Sequence, residues 1–134
     1  MGNDPYLAED IGQGIVVFLD PDVLESQGAV FTSEDHRVQG PHFFLCLGAK
    51  EEETIWITLY SRQGLNRGTI PAYEQIGPHF EGKPSHYYHN DGLVLANREQ
   101  VVAAAGEDYS RRGGRRYVSP FYTGKIADVL IPGW

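Results

Sequence analysis

The chain has 134 residues, with 11 Lys and Arg against 18 Asp and Glu and a formal net charge of −7. That length suits one domain, residues 1–134, with a real core. The charge argues against a broad nucleic-acid-binding surface and leaves room only for a local basic patch. No apolar run approaches the roughly 18 residues of a membrane span, and Asp4, Glu9 and Asp10 stand where a signal peptide would carry cations. A soluble, cytoplasmic protein is expected. The one cysteine, Cys46, lies in the apolar run Phe43–Leu47, so no internal disulfide can form and a buried thiol is expected.

In chain order, Ile15–Leu19 is a β-branched apolar run closed by Asp20-Pro21, which reads as a first strand. Residues 20–41 are polar, with brief apolar pieces, and read as a long exposed loop. His42–Leu47 and Thr54–Tyr60 form a predicted hairpin around the charged stretch Gly48–Glu53. Residues 61–84 are rich in Gly, Pro, Asn and Gln and have the composition of a loop covering a site. Ser85–His89 and Leu93–Leu95 flank Asn90-Asp91-Gly92, the chemistry of a tight hairpin.

Asn97 is a predicted N-cap, with Gln100 three residues on for the reciprocal bond and Gly106 to stop the helix, which sets one short helix at 97–105. Tyr117–Ser119 and Lys125–Ile131 complete the set as strands. Five to seven short strands and one helix point to a mainly β fold, a small barrel that hides its edges by closing.

Taken in order, Gly14-Ile15-Val16-Val17, Gly40-Pro41-His42-Phe43-Phe44-Leu45, Ile55–Ser61 and Gly92–Val101 resemble the PemK/MazF-like toxin family over roughly residues 12–105. The resemblance implies an SH3-like barrel, a homodimer that cuts single-stranded RNA without a metal or other cofactor, held silent by an antitoxin protein. The family carries Arg before the strand-two Pro and Thr or Ser at the end of strand three. Here Gly40 precedes Pro41 and Arg37 is the nearest guanidinium; Ser61 matches the second position, with Thr58 as the other register.

RNA cleavage by the 2′-hydroxyl needs a donor for the charge growing on phosphate and a group to move protons. Arg37, Ser61 and His42 are the candidate catalytic residues for charge stabilisation, substrate contact and proton transfer. His36, Thr58, Tyr60 and Arg62 flank them as substrate contacts, and Arg111 and Arg112 belong to the one dense basic stretch, either a phosphate-binding arm or a solvated loop. His86 and His89 fall on opposite faces of a strand, which argues against a shared metal. The alternative to an enzyme is a non-catalytic binding module on the same barrel, holding a protein or nucleic acid with the 61–84 loop and exposed tyrosines.

Overall fold

The computed structural model describes residues 8–77, 85–105 and 116–134. It is mainly β, an antiparallel sheet with three helices. Its strands are β1 (Ile15–Leu19), β2 (Val30–Phe31), β3 (His42–Lys50), β4 (Glu53–Thr58), β5 (Arg67–Ile70), β6 (Gln75–Ile76), β7 (His86–His89), β8 (Leu93–Asn97) and β9 (Arg116–Val118); its helices are α1 (Pro21–Ser26), α2 (Arg98–Ala105) and α3 (Pro120–Leu130). The main sheet runs β2-β8-β4-β3-β1-β9-β6, and β5 pairs with β7 in a second sheet. Among the described residues the order ends at β2 and β6 without closing.

The continuous apolar run of β3 is explained by burial on both faces. Phe44 and Cys46 join Ile15, Val17, Leu19, Trp56 and Val94 against α1 and α2, whereas Leu45 and Leu47 join Val16, Ile57, Ile70 and Val118 against α3 and the small sheet. Burial pushes the Cys46 thiol up to about 12. The β3–β4 hairpin forms as the sequence suggests, turning through Glu51 at φ 55° with a bulge between Cys46 and Gly48.

The capping box forms as predicted: Asn97 Oδ1 accepts from the Gln100 amide at 2.9 Å, and Gln100 Oε1 accepts from the Asn97 amide at 2.8 Å. Four readings are corrected, the first being residues 61–84, which are not one loop, since β5 and β6 lie within them and pair with β7 and β9. The stretch 20–41 is not an open loop, because Asp20 caps α1 through the Asp22 amide, with Pro21 as its first residue. Lys125–Ile131 is not a strand: Ser119 accepts from the Tyr122 amide and Pro120 opens α3, whose Ile126 and Ala127 are buried. Last, Asn90-Asp91-Gly92 does not close a hairpin. β7 and β8 run in the same direction, both antiparallel to β4 and its extension at Tyr60, and β7 pairs with β5 while β8 pairs with β4 and β2. No helix among the described residues is long and apolar enough to cross a membrane.

Candidate functional site

The site opens where one strand changes partners. Leu59 still donates to Phe43 of β3 at 2.8 Å, but Tyr60 exchanges both backbone bonds with Tyr87 of β7, at 2.8 and 2.9 Å. Tyr60 thereby joins the end of β4 to the small sheet. A cleft of about 340 Å³ lies at this junction. Phe18 and Phe43 floor it, their rings packed edge to face with centroids 4.9 Å apart, and Pro41 and His42 enter from the start of β3. Tyr60, Ser61 and Arg62 follow β4, Arg67 begins β5, and His86 begins β7.

His42 Nδ1 lies 2.7 Å from the Gly40 carbonyl. A carbonyl oxygen only accepts, so Nδ1 carries the hydrogen and Nε2 of the neutral ring is the basic nitrogen. Tyr60 is half-buried, and that burial raises its phenol pKa, with the nearby Arg67 charge opposing, so it stays protonated at neutral pH. The Arg67 guanidinium stacks 3.9 Å above the Tyr60 ring, and its Nη1 donates to the Arg62 carbonyl at 2.7 Å. Gly64 makes room for that side chain, since a Cβ there would lie 3.1 Å from Arg67 Nε. His86 Nδ1 sits 2.5 Å from Gln75 Oε1, and burial lowers its pKa, keeping the ring neutral.

The charge balance is local. Among the described residues lining this cleft there are two arginines, two histidines and no Asp or Glu, in a chain of net charge −7. On the other side of Tyr60 a second cleft of about 330 Å³ opens between Asp35, Gln39 and His89. His42, Tyr60 and Arg67 are the wall common to both.

Of the residues singled out from sequence, His42, Tyr60, Ser61 and Arg62 come together in the first cleft. Arg37 lines only the second. Its guanidinium is held by α1, with Asp22 at 2.6 Å and Glu25 at 3.2 Å, and lies over the Phe31 ring. Thr58 is buried in β4 and lines neither cleft. His36 ends a 3-10 turn, Glu34–His36, its side chain outside the described residues, as are Arg111 and Arg112. His86 and His89 line different clefts, and no three metal-ligating side chains are grouped among the described residues.

Arg67 and His86 were missed as members of this site. The local signal for Arg67 is slight: Asn66 at φ 62° turns the chain just before it. Pairing of β5 with β7 then sets Arg67 opposite His89 and Ile70 opposite His86.

No family model, curated protein or solved structure matches the chain. The functional reading therefore rests on the cleft itself.

Proposed function

We propose that the chain is a PemK/MazF-like ribonuclease on a variant of the SH3-like barrel, cutting single-stranded RNA without a metal in the first cleft. One observation carries the reading: two guanidiniums, an imidazole with its basic nitrogen defined, a protonated phenol and a hydroxyl converge in a cleft whose described lining has no carboxylate. That is a site for an anion with proton-transfer groups beside it. Arg62 and Arg67 hold the phosphate oxygens and stabilise the charge that grows on them. His42 Nε2 takes the 2′-hydroxyl proton, the 2′-oxygen bonds to phosphorus, and the bond from phosphorus to the 5′-oxygen breaks. The Tyr60 phenol protonates the departing 5′-oxygen, leaving a 2′,3′-cyclic phosphate and a 5′-hydroxyl. Arg67 thus replaces Arg37 as the charge-stabilising residue, and Ser61 remains a substrate contact. The cytoplasmic setting, the homodimer and the antitoxin partner belong to the same reading.

The test is incubation of the purified protein with mixed-sequence RNA in EDTA, with fragment ends mapped. Discrete cuts with 5′-hydroxyl ends are expected. Arg67→Ala should slow them roughly 10²–10³-fold, Arg67→Lys should retain part of the rate, and Arg37→Ala should leave it unchanged. Intact RNA with the native chain overturns the reading and leaves the non-catalytic binding module in its place.

A further inference from the structure

The second cleft differs from the first in one chemical respect: a carboxylate and a carboxamide line it. Asp35 and Gln39 line it, both exposed, together with His89 of β7. Arg37 also lines this cleft, but its charge is matched by Asp22 and Glu25, so Asp35 is not its ion-pair partner. The inner wall is aromatic, with the His42 and His89 rings edge-on to Tyr60 at centroid distances of 6.0 and 5.7 Å. At about 330 Å³ the space lies at the small end of ligand pockets, which run roughly 300–1,000 Å³.

Because the two clefts share His42, Tyr60 and Arg67, a group held in the second is one wall away from a phosphate held in the first. We infer that the second cleft is a nucleobase subsite that selects guanine beside the phosphate, through the Asp35 carboxylate. The inference rests on the reading of the first cleft as a phosphate site. A base splayed from single-stranded RNA presents its Watson–Crick edge to side chains and its face to aromatic rings. Guanine offers two parallel donors on that edge, the ring N–H and the exocyclic amine, which a carboxylate accepts as a fork. Adenine and cytosine offer one amine beside an acceptor nitrogen, which faces the second carboxylate oxygen unfavourably. Uracil offers a single donor between two carbonyls. Gln39 supplies an amide for the guanine carbonyl.

The probes are guanosine, adenosine, cytidine and uridine 3′-monophosphates and inorganic phosphate, titrated into the native chain and followed by calorimetry. The guanosine nucleotide should bind about tenfold tighter than the other three, the discrimination typical of a paired base edge. Asp35→Asn should remove that preference while leaving phosphate affinity unchanged, and Gln39→Ala should reduce it in part. Arg67→Ala should weaken all five probes together. Equal binding of the four nucleotides, no binding, or a preference that survives Asp35→Asn overturns the subsite. A guanine preference lost in Asp35→Asn, with no RNA cut by the native chain, upholds the subsite and overturns the ribonuclease alone.

Discussion

The two ends of the β3–β4 hairpin are built from the same pair of strands and treat their polar groups in opposite ways. At the turn end they are bound into the fold. Arg98 donates to the carbonyls of Glu51 at 2.5 Å, Ala8 at 3.0 Å and Ile11 at 2.5 Å, while its own amide bonds Glu52 at 3.0 Å. Trp134 lies so close over Gly48 that a Cβ there would come within 2.5 Å of its ring, and Lys50 donates to the Trp134 carbonyl at 2.9 Å. At the open end Ser61 and Arg62 are exposed, and the strand leaves its partner instead of turning back to it. The contrast separates two tasks of one hairpin: the closed end ties the strands to the rest of the fold, and the open end leaves Ser61 and Arg62 lining a cleft.

The substitution with the largest expected effect strikes the middle, which both ends share. Trp56 is fully buried and its Nε1 donates to Thr54 Oγ1 at 2.7 Å. Trp56→Ala should destabilise the fold by about 3–5 kcal/mol, read as a lower urea midpoint, and both ends should fail together. A small loss would break the idea of a common rigid hairpin.

Next comes the closed end. Arg98→Ala removes charged hydrogen bonds to three carbonyls and should cost about 1.5–3 kcal/mol in urea unfolding, with RNA cleavage per folded molecule unchanged. Reduced cleavage in the folded fraction would show that the ends are coupled. Smaller still is Arg37→Ala. Its partners Asp22 and Glu25 are exposed on their side chains by 74% and 49%, so the ion pairs are worth under about 1 kcal/mol. Thermal unfolding should shift by only a few degrees; a large fall in cleavage would return Arg37 to the catalytic role read from sequence.

The smallest effect is one of pH. Burial lowers the His86 pKa from 6.5, so the unfolded chain binds the proton more readily than the folded one. Stability should therefore decline as pH falls from about 6.5 through the lowered folded-state value. His86→Gln should flatten that part of the curve in urea titrations at successive pH values; an unaltered slope would assign it to other groups.

Much of this was legible where local chemistry decides the outcome. The reciprocal bonds of Asn97 and Gln100 depend on residues three apart, and the β3–β4 hairpin on two apolar runs around a charged turn. His42 and Ser61 flank those runs and line the first cleft together. The partner of β7 was not, since Asn90-Asp91-Gly92 has the residues of a tight turn, whereas β7 and β8 keep one direction along β4 and β7 takes β5 as its partner. Arg67 followed from the same omission: only the β5–β7 pairing brings it to Tyr60. The start of α3 was signalled by Ser119-Pro120, but the apolar, β-branched character of residues 125–131 outweighed that signal when set against a strand pattern.

The inert thiol at the centre of β3 has a practical consequence. Cys46 is the one cysteine in the chain, it is fully buried, and its Sγ donates to the Gly48 carbonyl at 3.3 Å. A thiol held near 12 presents almost no thiolate at neutral pH, so a soluble disulfide reagent reacts with it only when the strand opens to water. The native chain thus carries its own clock for opening, with no added label, and the same colour change times every variant above.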